Sequence, residues 1–168
     1  EDLFIEYFNQ HPEVKLIIAP HVIDENHLVE IIRKLKRPYV RYTRANEKNV
    51  RKADCLIIDC FGLLSSIYRY GEIAYIGGGF GVGIHNTLEA AVYGIPVIFG
   101  PKYQKFQEAI QLLETKGAFS VKDYEELKTL LDRMLTDEVF LRESGMNASN
   151  YVTGNAGATD KIMSMINF

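Results

Sequence analysis

Residues 73–99 read I-A-Y-I, then G-G-G-F-G-V-G, then I-H-N-T-L-E-A-A-V-Y, then G-I-P-V-I-F. An apolar run of strand length, five glycines within seven residues, an amphipathic segment and a second apolar run predict a strand, loop, helix, strand unit. Such a βαβ unit commits its neighbourhood to a parallel sheet, because only a crossover can return the chain in the same direction. Glycine at the first turn tolerates positive φ and lets a ligand approach the backbone amides. The following helix start aims unpaired N–H groups at the loop, so a phosphate-bearing ligand is the functional reading. Close packing of strand against helix is the structural alternative.

The loop excludes some phosphate ligands. No register gives G-x-G-x-x-G: from Gly77, Gly79 or Gly81 the third glycine falls on Val82, Ile84 or Asn86. The strand V-I-F at 97–99 leads into Gly100-Pro101, without the acidic residue that would hold a dinucleotide ribose. G-x-x-x-x-G-K-[ST] is absent as well. Directly after the loop stands His85-Asn86-x-x-Glu89. Asn86 suits an N-cap with Glu89 reaching back as in a capping box; Glu89 is equally well placed to accept hydrogen bonds from two ribose hydroxyls.

The remaining chain alternates in the same manner. Apolar runs at 15–19, 39–43, 54–59 and 118–121 predict four further strands, and with those at 73–76 and 97–99 they make about six. Helices are expected at 2–10, 24–35, 63–70, 103–115, 123–135, 137–151 and 156–167. The expected fold is α/β: a Rossmann-like parallel sheet of about six strands with helices on both faces, in a single domain over 1–168. Pro20-His21, residues 59–64, the glycine loop with Glu89, and residues 100–106 all fall at strand C-terminal ends, where ligands of parallel sheets bind.

Composition narrows the function classes. A net charge of −3 argues against a domain bound to nucleic acid through a basic surface. One local exception exists: between Arg33 and Lys52 there are nine Lys or Arg and one acid, Glu47. That run can approach phosphate groups or an anionic membrane, although a solvated helix face and loop is the plainer reading. Cys55 and Cys60 bracket an apolar run and read as buried thiols; their spacing suits neither a metal knuckle nor a disulfide framework, which fits a reducing compartment. No apolar run approaches the ~20 residues of a membrane span. The opening Glu1-Asp2 suggests a piece of a longer protein.

Asp59-Cys-Phe-Gly62, the G-G-G loop at 77–79, the H-N-T-L-E-A-A block at 85–91, the G-I-P-V-I-F-G-P run at 94–101, and Phe106 together resemble the C-terminal half of the 3-deoxy-D-manno-octulosonic acid (Kdo) transferases of lipopolysaccharide assembly. The resemblance is densest over 54–120. It implies one half of a two-domain GT-B glycosyltransferase, the half that binds the CMP-Kdo donor. The acceptor would be a lipid A precursor, and transfer would invert the anomeric centre with no cofactor and no essential metal. By position, Glu89 would hold the ribose. Gly78, Gly79, His85 and Asn86 would face the phosphate or the sugar acid, and Pro20, His21 and Gly62 would contact the nucleotide. Two positions depart from the family pattern: Pro20 and His21 are adjacent where an arginine often intervenes, and Leu63 stands where a glutamate often follows the glycine.

The resemblance puts the catalytic carboxylate in the absent N-terminal domain, so this piece alone is expected to be inactive. The full-length enzyme would work at the cytoplasmic side of the bacterial inner membrane. This piece would touch the membrane only indirectly, and nucleic acid not at all. Two other readings stand beside this one: the donor domain of another GT-B enzyme, such as a UDP-sugar transferase or epimerase, and a non-catalytic nucleotide-binding α/β domain.

Overall fold

A computed structural model describes residues 1–81 and 83–157, and these group into two compact units. The first comprises Glu1–Gly71 with Asp123–Lys128, and the second comprises Glu72–Lys122 with residues 129–157. The expected helix at 156–167 lies almost wholly outside the described residues. The six strands are present and every pairing between them is parallel, so the Rossmann-like α/β class stands. Their hydrogen bonds run as two ladders of three, one in each unit.

In the first unit, α1 (Asp2–Gln10) leads to β1 (Leu16–Ile18), α2 (Glu25–Lys34), β2 (Tyr39–Arg41), the short helices α3 (Glu47–Val50) and α4 (Leu64–Ile67), and β3 (Cys55–Ile57) between those two. The ladder order is β1-β3-β2. Side chains from α1, α2, β1 and β3 close one core of Ile5, Phe8, Ile18, Leu28, Ile31, Cys55 and Ile57. Burial pushes the Cys55 thiol up to about 12, so it behaves as a small apolar side chain, while Cys60 is only half-buried. Asp24 starts α2 as expected, its carboxylate accepting from the amides of Asn26 and His27.

Arg37 ties the first helix to this core. Its guanidinium donates to the carbonyls of Phe8, His11 and Val14 through Nη1 at 2.8 to 2.9 Å, and to that of Pro12 through Nη2 at 2.9 Å. It also stacks 4.0 Å over the Phe8 ring and pairs with Asp54 at 3.3 Å. Of these acceptors Phe8 lies in the last turn of α1 and His11 is its C-cap, so one guanidinium holds the helix end against the chain that follows.

In the second unit, β4 (Ala74–Tyr75), α5 (Leu88–Ala91), β5 (Val97–Phe99), α6 (Gln107–Glu114) and β6 (Ala118–Ser120) precede α8 (Glu138–Asn155), and α7 (Tyr124–Thr136) begins in the residues grouped with the first unit. The ladder order is β4-β5-β6, with β5 entirely buried. Helix α8 lies against glycines: a Cβ on Gly145 would stand 2.1 Å from the Gly94 carbonyl oxygen, and one on Gly117 would stand 2.6 Å from the Ala148 amide. Helix α6 ends without a glycine at the left-handed position. Lys116 takes the left-handed conformation (φ 59°), and the bonds Gly117 N to Leu112 O and Lys116 N to Leu113 O complete a Schellman motif. Gly117 is a glycine because α8 passes over it. Among the described residues no helix is long and apolar enough to cross a membrane.

Replacing Arg37 with alanine should remove a side-chain donor from four carbonyls, of which those of Phe8 and His11 keep a backbone N–H partner, and cost about 2 to 4 kcal/mol in urea unfolding. Arg37→Lys should recover little of it, since one ammonium cannot reproduce the planar fork.

Candidate functional site

The glycine stretch folds as a tight hairpin between β4 and α5. Gly79 N donates to Gly83 O at 2.6 Å and His85 N to Gly77 O at 3.1 Å, with Gly78 and Ile84 opposite each other. In an antiparallel pair of this kind the amides of the two facing residues point outward, so those of Gly78 and Ile84 are presented to the hairpin's surroundings. Gly78 and Gly79 both have positive φ. A Cβ on Gly78 would meet Gly83 O at 2.0 Å; one on Gly79 would meet Gly100 Cα at 2.7 Å. The loop after β5 docks here as well, with Lys102 N donating to Gly79 O at 2.9 Å and the Phe106 ring covering Gly83. The hairpin and residues 100–106 thus leave neighbouring parallel strands at the same end and pack together.

The segment after the hairpin refines the capping picture. Helix α5 is a single turn, and its N-cap position belongs to Thr87, whose side chain makes no cap bond. Asn86 does the capping from one residue earlier: its Oδ1 accepts from Leu88 N at 3.0 Å, and its Nδ2 donates to Glu89 Oε1 at 3.0 Å. Glu89 therefore bonds the Asn86 side chain and does not reach the backbone amide of a capping box. The second oxygen of Glu89, Oε2, carries no bond among the described residues. Thr87 Oγ1 is fully buried with no partner among them. His85 and Asn86 are exposed and Glu89 is half-buried. Gly78, Gly79, His85, Asn86 and Glu89 are thus brought together on one hairpin and the turn after it.

The other three predicted residues belong to the first unit. Pro20 is buried, and His21 and Gly62 are exposed, Gly62 with φ +89° and open space where a Cβ would point. They follow β1 and β3, which are neighbours in the ladder, so the two loops leave the same end of it.

A network at that end carries no signal in the sequence. Asp59, its side chain fully buried, accepts from Thr43 N at 2.9 Å, Thr43 Oγ1 at 2.6 Å and Arg41 Nε at 2.8 Å. Arg41 Nη1 in turn holds both oxygens of Glu25 at 2.8 and 3.0 Å. Burial by itself would raise the Asp59 carboxyl, but the Thr43 hydroxyl and amide and the Arg41 guanidinium outweigh it and hold it at about 2. A carboxylate so saturated is structural and cannot act as a general base near neutral pH. Its partners lie 16 and 18 residues away, beyond any local motif. Among the described residues no group of three His, Cys, Asp or Glu stands together to hold a metal.

Parallel ladders whose connecting loops gather at the strand C-terminal ends are the architecture of the Rossmann-like α/β class. In fold, the chain superposes on the C-terminal CMP-Kdo binding domain of WaaA from Acinetobacter baumannii with a TM-score of 0.76 at 19% identity, covering 90% of this chain and 80% of that one. It also superposes on the C-terminal domain of a glycosyl transferase group 1 family protein (LpcC) from Francisella tularensis, with a TM-score of 0.62 at 16% identity, covering 94% and 77%.

In sequence, the chain is a relative of the 3-deoxy-D-manno-octulosonic acid transferases. It is 36% identical over 135 residues to that of Aquifex aeolicus (79% of this chain, 37% of the relative). It is 29% identical over 136 residues to that of Chlamydia muridarum (79% and 31%). A bifunctional glycosyltransferase/methyltransferase of Fusobacterium nucleatum is 29% identical over 163 residues (90% and 26%). The chain therefore spans roughly a third of the length of the curated relatives it matches. No family model matches it.

Gly78→Ala should cost about 3 kcal/mol, from positive φ and the clash with Gly83 O, whereas Gly81→Ala, which meets open space, should stay within about 0.5 kcal/mol; thermal melts of both variants check this. Asp59 has a folded value near 2 against an ordinary 3.8, so its contribution is complete above the ordinary value and is lost as pH falls through about 2. Asp59→Asn should lower stability near neutral pH by about 2 to 4 kcal/mol and flatten the acid limb of the stability profile below about pH 4.

Proposed function

We propose that this chain is the donor-binding part of an inverting GT-B glycosyltransferase that takes CMP-Kdo and delivers Kdo to a lipid A precursor. The observation that carries the reading is the 36% identity over 135 residues to a Kdo transferase. The full-length enzyme would then have a second, N-terminal domain and work at the cytoplasmic face of the inner membrane in lipopolysaccharide synthesis.

The hairpin geometry supports a division of labour. The outward amide of the exposed Gly78 suits an anionic linkage, with the exposed His85 and Asn86 following on the other arm of the hairpin. Asn86 pins one oxygen of Glu89, which orients the other for a ribose hydroxyl. Since α5 has one turn, attraction for an anion comes from individual N–H groups, with little from a helix macrodipole. Pro20, His21 and Gly62 are the candidates of the first unit for contact with the nucleotide. Inverting transfer needs a base on the acceptor hydroxyl and a cradle for the departing phosphate. The hairpin suits the cradle. With Asp59 saturated, the base is assigned to the absent domain, and the chain alone is inactive.

Calorimetry of the chain with CMP, UMP, UDP and NAD tests the assignment. CMP should bind best, and Glu89→Ala should weaken it by about 1 to 3 kcal/mol without a matching loss in thermal stability. Preference for a uridine nucleotide would replace the Kdo reading with a UDP-sugar one. The chain mixed with CMP-Kdo and acceptor should show no transfer.

A further inference from the structure

We propose that, in place of the indirect membrane contact that the family resemblance implies, the turn formed by residues 42–52 is itself a docking surface for an anionic lipid bilayer. Of the nine cations between Arg33 and Lys52, three are engaged: Lys34 by Asp2, Arg37 by Asp54 and four carbonyls, and Arg41 by Glu25 and Asp59. Arg44, Lys48, Arg51 and Lys52 are exposed and make no ion pair among the described residues. Glu47 makes none either, although it stands one helical turn before Arg51, and Glu25 lies near enough to Arg44 to feel its charge.

These four cations are held as a group. Asn46 caps α3 by accepting from the amides of Lys48 and Asn49, and Asn49 Oδ1 accepts from Asn46 N at 2.8 Å, closing a reciprocal capping box. Asn49 Nδ2 then donates to Arg44 O at 2.9 Å, which fixes the residue before the helix against it. The helical turn continues through Lys52 N to Asn49 O and Ala53 N to Val50 O, so Lys48, Arg51 and Lys52 fall at i, i+3 and i+4 on one face. The short helix is ordered by its caps in a position where packing contributes little, since none of its residues is buried.

Charge complementarity selects the occupant. A chain of net charge −3 carries here a cationic turn after the edge strand β2, with Lys48, Arg51 and Lys52 on one face and in no ion pair among the described residues. The turn also exposes Tyr42 at 44%, whereas the exposed Val50 falls on the opposite side of α3 from Lys48. A tyrosine near lysine and arginine suits an interfacial membrane contact, with the ring and the cation stems at headgroup level and the charges on the phosphates. A single-stranded nucleic acid would instead need a cationic groove that tracks its backbone, and these cations sit on one helical turn.

The test is co-sedimentation of the 168-residue chain with vesicles of phosphatidylethanolamine containing roughly one part in four phosphatidylglycerol, against phosphatidylcholine vesicles. Binding is expected to the anionic vesicles only, and to be lost at about 0.5 M NaCl. The double variant R51E/K52E should lower the partition coefficient by at least about 25-fold, at roughly fivefold per cation. The double variant K105E/R142E should leave it within about twofold. Circular dichroism melts should show both variants folded, and Tyr42→Ala, which leaves the charge unchanged, should reduce binding further. Equal binding to both vesicle types, an equal response to the two double variants, or binding to a single-stranded oligonucleotide but not to vesicles would each overturn the proposal.

Discussion

Main chain pressed against main chain is the constraint on which the second unit rests. Gly79 meets Gly100, Gly145 meets Gly94, and Gly117 meets Ala148 at separations that leave no room for a Cβ. These contacts join the two loops at the strand ends and seat α8 on the turn before β5. A methyl group at any of them would have to displace backbone, and backbone in a ladder or a capped helix cannot yield by rotating a side chain.

The first unit is held in a different way, by polar groups turned inward. Arg37 gathers carbonyls from the end of α1 and the chain after it, and Asp59 gathers donors from the segment that follows β2. Both act in places shielded from water, where a charged group persists only because nearly every lone pair or N–H it offers is matched. Loops that leave the ladder ends are thereby fixed without a large apolar core of their own.

These two modes bear on how function can be read. The hairpin glycines serve the fold, so their presence alone says nothing of a ligand; Gly78 and Gly79 would be required even if the site were empty. Asn86 and Glu89 differ from them, because one hydrogen bond between exposed or half-exposed side chains is a small structural gain compared with the orientation it gives the carboxylate. The same reasoning separates the cations of the first unit: Arg37 and Arg41 are explained by what they hold, and those of the capped turn at 42–52 are not.

Periodicity alone determined the kind and order of elements: the six apolar runs became parallel strands within a residue or two of where the pattern put them, because burial of alternating or continuous apolar stretches is a local property of the chain. The glycine cluster and the Asn86-x-x-Glu89 spacing likewise located the hairpin. Only the tertiary structure decided that the strands pair in two ladders, that Lys116 takes the left-handed turn while Gly117 clears a path for α8, and that Asp59 is saturated by Arg41 and Thr43. Those outcomes depend on which distant segments meet, and contact between residues far apart in sequence leaves no trace in any short window of it.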